Sequence, residues 1–403
     1  MGRRRHTNRR TWLGLCAGTA GATILAGCSS DEETTDDTDD TGTSDDGLLE
    51  FGSDSDGDWP MFGADLQNTG YQPDGDGPVD DVTVRWRLEG GDRFVSSPAI
   101  VDGIVYAGCR DGYLYAVDAE TGEIEWATQL NQRVSSPPTV IDGVVYVSSH
   151  GVPDKIHALE ADSGEQLWAE ELGNSAHSPA PYGDVIYTYH SGWLIETDRT
   201  SGTSSVLFEG YSQTPTAPAI KDGVLFGGGR RSIVAHDLEQ MERKWEFENE
   251  NTEHMSNGTP AVVDGTLYTG STDSKLYALD VESGEEKWTF ETDDSISAGP
   301  SVADDTIYLP SRDGHVYAID ANSREQKWSV DYEFQLQQKP AVTESMIYFI
   351  DGKTLHGLDR SDGGVHWSFT PDKDETIGGT LSVADRVAYL PSRDHHLYAL
   401  EEA

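Results

Sequence analysis

Tryptophans at positions 86, 126, 168, 245, 288, 328 and 367 follow one another at steps of 38 to 43 residues, once Val206 is allowed to stand for a missing indole. The same phrase precedes most of them. Ala116-x-Asp118-x-x-Thr121-Gly122-x-x-x-Trp126 is its full form. Ala278, Asp280, Ser283, Gly284 and Trp288 repeat it, as do Ala318, Asp320, Ser323 and Trp328 without the glycine. Asp198 and Gly202 keep the spacing ahead of Val206, and Asp237 and Trp245 keep it although Met241 replaces the glycine. A tandem period near 40 residues restricts the chain to a repeat architecture in which each unit buries its faces against its neighbours.

Each unit carries four short strand signals and no helix-period segment. Around the first full phrase these are the stretch at Trp86, then SPAIVDG, IVYAGCRDG and YLYAVDAETG. Asp102-Gly103, Asp142-Gly143, Asp222-Gly223 and Asp264-Gly265 read as two-residue hairpin turns, because glycine tolerates the positive φ they require. Four strands per repeat predict an all-β fold, an eight-bladed β-propeller spanning residues 59–403. The last unit stops at Tyr398-Ala399-Leu400, before a tryptophan of its own, while the first begins with an orphan strand, VRWRLE. The strand around Trp86 therefore supplies the outer strand of the eighth blade and closes the ring, removing the open sheet edge. A tryptophan that recurs once per blade is placed to wedge between sheets with its N–H on a backbone carbonyl. The structural docking set is Trp86, Asp118, Gly122, Trp126, Trp168, Trp245, Asp280, Gly284, Trp288, Asp320, Trp328 and Trp367.

The N-terminus is of another kind. Arg3, Arg4, Arg5, Arg9 and Arg10 precede a mildly apolar stretch from Trp12 to Ala26, too short for a bilayer-spanning helix of about 20 residues. Arg9-Arg10-Thr11-Trp12-Leu13 resembles a twin-arginine export motif, and Leu25-Ala26-Gly27-Cys28 resembles a lipobox, with Cys28 as the lipidated residue. Residues 1–28 are thus expected to be a lipoprotein signal. Residues 29–58, nearly all Asp, Thr, Ser and Gly, are expected to be a disordered acidic tether. The expected location is the outer face of the cytoplasmic membrane.

The chain has 28 Lys and Arg against 72 Asp and Glu, a formal charge of −44. Loss of the five signal arginines leaves 23 basic residues against 72 acidic ones, or −49. Such a surface suits a protein whose self-repulsion is screened by high salt, and it repels nucleic acid, which is not expected as a partner. Of three cysteines, only Cys109 falls in the repeat region, where it reads as a small buried hydrophobe. Neither Ser53–Gly57 nor Asp74–Gly77 has the spacing of a calcium loop, and no nucleophile elbow, phosphate loop or zinc-helix motif occurs.

The repeated phrase resembles the tryptophan-docking motif of the pyrroloquinoline-quinone (PQQ)-type propellers, and WPMFGADLQNTGY (residues 59–71) resembles their N-terminal lead-in. The resemblance implies one of two branches. The quinoprotein alcohol dehydrogenases hold PQQ with Ca²⁺ and use an Asp base, a ring-stacking Trp and a disulfide between adjacent cysteines. The BamB-like branch is non-enzymatic and lipid-anchored. This chain has no adjacent cysteine pair and is shorter than those enzymes. The expectation is therefore a binding or scaffold module with no cofactor and no metal, PQQ and Ca²⁺ belonging to the alternative.

In a four-stranded blade, the loop leading into the innermost strand and the loop joining the two middle strands share one face. The lead-in loops place Arg93, Arg133, His177, Gln213, His254 and Gln337 there. The middle loops add Arg110, Asp111, His190, Arg230, Arg231, Arg312, Asp313, Arg393 and Asp394. Two readings follow: a funnel for an anionic ligand or an acidic segment of a protein partner, or Arg–Asp pairs in SRDG and SRDH that neutralise one another locally. His177, His190 and His254 are too sparsely supported to predict a metal site. Asn257-Gly258-Thr259 is a glycosylation sequon on the same face. A monomer is expected.

Overall fold

The computed structural model describes residues 58–403, apart from 74, 174–176, 191, 210–216, 229–230, 251–257 and 373–375. Arg9, Arg10, Cys28, Gln213, Arg230, His254 and Asn257 lie outside the described residues. Eight antiparallel sheets follow one another along the chain, and no helix occurs among the described residues. In the first complete blade the strands run outward from Ala99–Val101 through Ile104–Gly108 and Tyr113–Asp118 to Ile124–Gln129. The Asp-Gly turns have positive φ at both residues, 51° and 72° at Asp102 and Gly103, as a primed hairpin turn requires.

The eighth blade joins the two ends of the domain. Its first three strands are Ser382–Ala384, Val387–Pro391 and His396–Glu402, and its outer strand is Val82–Glu89, antiparallel to His396–Glu402. Trp86 faces Ala399 across this pair, beside a register shift. The same juxtaposition and shift recur inside single hairpins, at Ala116 and Trp126, Ala278 and Trp288, and Ala318 and Trp328. The alanine of the repeated phrase is thus the small residue opposite the indole. In the seventh blade it is Gly357, where a Cβ would come within 2.3 Å of Trp367.

Each indole leans on the blade that follows. The Nε1–H groups of Trp86, Trp126, Trp168 and Trp245 donate to the carbonyls of Ala119, Ala161, Arg199 and Val281 at 2.7–2.9 Å. Trp328 reaches Arg360 O at 3.2 Å, and Trp367 reaches Pro78 O at 2.9 Å. The turn glycine of the following blade lies under the ring. A Cβ on Gly122 would come within 2.6 Å of Trp86, and one on Gly284 within 2.6 Å of Trp245. Both glycines also hold positive φ, 75° and 72°, so steric and backbone demands coincide. The phrase's aspartate closes the turn: Asp118 Oδ1 accepts from Thr121 N–H and Oγ1–H, both at 2.7 Å.

Two exceptions follow the same geometry. Where Val206 replaces the indole, the glycine beneath is also replaced, by Met241 at φ 56°. Where Trp288 is retained above Arg324 (φ 67°), no N–H bond to the next blade forms among the described residues.

Residues 59–71 line the inside of the ring. Trp59 and Ile100 exchange two backbone hydrogen bonds at 2.8 Å. The carbonyls of Pro60, Leu66, Gln67, Thr69 and Gly70 then accept from Val140, Ile220, Val262, Val302 and Val342, each in a different innermost strand. The third blade has Pro181 at this position and no N–H to donate. Met61 and Asn68 are fully buried in the channel, where Asn68 Nδ2 donates to Pro218 O at 3.0 Å.

Gly122→Ala is expected to lower stability by about 2–4 kcal/mol, combining positive-φ strain with overpacking against Trp86. Gly103→Ala, at similar φ with open space around it, should lose only about 1 kcal/mol. Arg324→Gly should gain about 1 kcal/mol by relieving strain and restoring the Trp288 bond. Urea unfolding of the three variants in molar KCl checks the ranking.

Candidate functional site

The face formed by lead-in and middle loops is stitched by aspartates. Asp111, Asp273, Asp313 and Asp394 each accept a hydrogen bond from the tyrosine four residues on, at 2.8, 2.7, 2.9 and 2.6 Å. Three also hold the end of the adjacent outer strand: Asp111 accepts from Gly91 N–H, Asp273 from Asn249 Nδ2, and Asp313 from Asp293 N–H. Burial opposes the charge of Asp313 and Asp394, but the hydrogen bonds from backbone N–H, tyrosine and serine outweigh it and hold both below the usual carboxylate range. Burial, reinforced by the carboxylate, pushes Tyr317 and Tyr398 up.

The sequence-predicted residues take distinct places on this face. Arg312 gives Nε and Nη2 to Gln335 Oε1 at 3.1 and 2.7 Å, not to its neighbour Asp313, so local Arg–Asp neutralisation does not describe this turn. Arg110 is half-buried; its backbone N–H bonds Arg93 O, and its Nε lies buried without a partner. Arg133, Arg231 and Arg393 are exposed on separate blades. His177 and His190 do come together, beside the pair of His150 and Asp154 (3.4 Å). Burial, then the neighbouring His150 and His190, pulls His177 down to about 4, and burial also lowers His190. Among the described residues no group of three or more His, Cys, Asp or Glu is arranged to hold a metal ion.

Of the described sequence-predicted residues, only Gln337 reaches the centre of the ring. A cavity of about 190 Å³ opens there, lined by Ser96, Ser97, Ser135, Thr259, Ser297, Gln337, Gln338, Lys339 and Thr380, with glycines between them and Phe62 of the inner segment. The signal was a register. Seven innermost strands are preceded by a proline, Pro98 through Pro340, and the residue before it is Ser97, Pro137, Ser178, Ala217, Thr259, Gly299 and Lys339 in turn. Lys339 alone in that set is charged.

A family model described as "Outer membrane protein assembly factor BamB" matches residues 79–290, 229–337 and 312–403. The chain belongs to this BamB-like family of PQQ-type propellers. Among solved structures, BamB from Moraxella catarrhalis is 21% identical with a TM-score of 0.67, over 79% of this chain and 99% of that one. The quinohemoprotein alcohol dehydrogenase from Comamonas testosteroni is 12% identical with a TM-score of 0.67, over 86% and 81%. A europium-containing methanol dehydrogenase is 12% identical with a TM-score of 0.68, over 84% and 89%. At these identities the likeness is one of fold. No curated protein matches the sequence.

The BamB-like fold is shared with quinone enzymes, whose cofactor needs more than this cavity offers. Its volume lies below the roughly 300 Å³ at which sites for larger organic ligands begin. Its lining residues are Ser, Thr, Gln, Gly and a few others, with no carboxylate for a Ca²⁺ ion. These residues do not fit PQQ with calcium.

Asp394→Asn is expected to lose about 1–3 kcal/mol at pH 7, where the carboxylate is charged and accepts from Tyr398. A folded-state pKa below the unfolded value of about 3.9 gives stability that is complete above that value and lost as pH falls through the folded one. The gap between wild type and variant should therefore narrow below about pH 4, measured by urea unfolding at pH 7 and pH 3.

Proposed function

We propose that this chain is an exported, lipid-anchored propeller that works as a protein-binding scaffold module through its loop face. Cys28 carries the anchor and Arg9-Arg10 the export signal, and the protein sits on the outer face of the cytoplasmic membrane. The observation that carries the reading is where the chain enters the ring. Asp102 N–H donates to Asp58 Oδ1 at 3.2 Å, and Trp59 pairs with Ile100, so the tether joins at the end bearing the Asp-Gly turns. The opposite end carries Arg133, Arg231, Arg312 and Arg393 among its described residues. Cationic side chains on an otherwise acidic molecule favour a partner with an acidic segment. The BamB-like family description supports a partner-binding role over catalysis, and the carboxylate-free lining of the described cavity supports the same choice.

Two measurements test this. Photo-crosslinkers at Arg133 and Arg312 should capture a partner on intact cells, whereas crosslinkers at Asp264 and Asp385 on the turn face should not. Equal capture from both faces, or none, overturns the reading. Titration of the full chain with PQQ and Ca²⁺ in molar KCl, beside a dye-linked alcohol oxidation assay, should give neither saturable heat nor dye reduction. Saturable binding with turnover would make the protein a short quinoprotein dehydrogenase instead.

A further inference from the structure

Two arginines each close a socket between neighbouring blades. Arg199 follows Asp198 of the repeated phrase in the third blade and reaches back to the second. Its Nε donates to Tyr146 Oη at 3.4 Å, its Nη2 to Asp142 Oδ2 at 2.7 Å, and its Nη1 to Gly183 O at 3.0 Å. Arg360 follows Asp359 in the seventh blade and repeats the arrangement on the sixth. Its Nε donates to Tyr308 Oη at 3.0 Å, its Nη1 to Glu344 O at 3.1 Å, and its Nη2 to Asp304 Oδ2. Each guanidinium thus meets a tyrosine hydroxyl, the leading aspartate of a hairpin turn in the preceding blade, and a turn carbonyl of its own blade.

Between the fifth and sixth blades the same acceptors stand without the arginine. Ala321 follows Asp320 where the other two blades have arginine. A groove of about 430 Å³ lies there, with Tyr268, Asp264, Asp304 and Ala321 in its lining. The strand registers make these the counterparts of the groups that hold Arg360: Ala261 pairs Tyr268 and Val263 pairs Thr266, as Ser301 pairs Tyr308 and Ala303 pairs Thr306. Thr266 and Lys287 of this groove likewise match Thr306 and Lys327 of the groove whose wall contains Arg360. Each lysine is turned onto the aspartate of its own phrase, Lys287 onto Asp280 at 3.1 Å and Lys327 onto Asp320 at 3.2 Å. Ala119 and Ala161 share the register of Ala321, but they are buried and their carbonyls take the indole N–H of the preceding blade. Ala321 is partly exposed, and Trp288 makes no such bond among the described residues. Asp264, Asp305 and Arg324, all exposed and all in the lining, join no ion pair among the described residues.

We infer that this groove binds a small guanidinium compound, received by Tyr268 Oη, the Asp264 carboxylate and Asp304 O as their counterparts receive Arg360. The fold displays the ligand chemistry twice in its own side chains. Three acceptors around one planar fork suit a guanidinium, whose donors point in fixed directions, better than an ammonium with its compact charge and rotatable donors. The volume falls within the roughly 300–1,000 Å³ of small-ligand sites. Asp264 and Asp305 set against Arg324 leave the uncommitted charge of the lining negative, as a cationic ligand requires. The site lies at the end bearing the Asp-Gly turns and does not depend on the loop-face scaffold reading.

The test is calorimetric titration of the full chain in molar KCl, which screens indiscriminate attraction of cations to the acidic surface. Agmatine, a guanidinium on a short alkylamine, should bind saturably at one site. Putrescine, in which an ammonium replaces that group, should bind at least tenfold more weakly. No saturable binding of agmatine, or equal affinity for putrescine, overturns the proposal. A capped Gly-Arg-Gly peptide distinguishes the source: tighter binding than agmatine assigns the guanidinium to a protein partner and overturns the free compound. Ala321→Arg should supply the missing side chain, abolish agmatine binding and raise the unfolding midpoint. Because a longer side chain also obstructs the groove, the deciding variant is Asp264→Asn, which keeps the shape and tolerates the φ of 45° at this exposed turn. Its unfolding midpoint should stay at the wild-type value while agmatine affinity falls at least fivefold. Unchanged affinity in that variant overturns the proposal.

Discussion

An indole resting on the left-handed glycine of the next blade is the contact on which the ring depends. A four-stranded sheet of this size has too little apolar surface to be stable alone, and each blade buries its faces only against its two neighbours. Burial of the ring contributes a few kcal/mol per interface, and the N–H bond fixes its orientation. Every other element of the repeated phrase serves that contact. The alanine makes room across the strand pair, the bulge sets the angle, and the aspartate holds the turn so that glycine lies beneath. The eighth interface has no hairpin to supply a turn, and there Pro78, on the chain approaching Val82–Glu89, offers the carbonyl to Trp367. Ring closure and indole docking are one device used at different points of the chain.

Because the contact is local in pattern and repeated, it was legible. The period gave the blade number, and the unfinished last unit gave the closing strand. The paired loss of indole and glycine at Val206 and Met241 was also visible, although its meaning required knowing that the two residues meet across an interface. Sequence spacing places Met241 in the unit after Val206, and only the fold shows that the two positions belong to one interface between neighbouring blades.

The inner segment was illegible for the opposite reason. Residues 59–71 have no periodicity, since each carbonyl meets a strand from a different blade, up to 272 residues away for Gly70 and Val342. Those bonds satisfy innermost-strand N–H groups that would otherwise face the channel unpaired. The residue types carry no trace of this, because backbone carbonyls do the work. Arg312 illustrates the same limit on a smaller scale. Adjacency suggested a pair with Asp313, but that carboxylate is committed to Tyr317 and to two backbone N–H groups, and the guanidinium turns to Gln335 instead.

In a tandem repeat the shared residues describe the scaffold, so individuality has to be sought where one unit departs from its siblings. Departures at exposed turns, such as Met241, cost only local strain. Lys339 is a departure of another order. Its siblings at the same register are small or hydroxyl-bearing, any of which would line the channel without penalty. A lysine there places a buried ammonium on the Pro300 carbonyl, beside the buried Asp65, in a molecule whose formal charge is −44. The strongly negative surface favours a cation at long range, but its acids provide no carboxylate oxygen within reach of it. Desolvation is a short-range cost and is offset only by short-range partners. The Pro300 carbonyl and the Asp65 carboxyl of the inner segment are the short-range partners the fold supplies, which ties this one departure to residues 59–71.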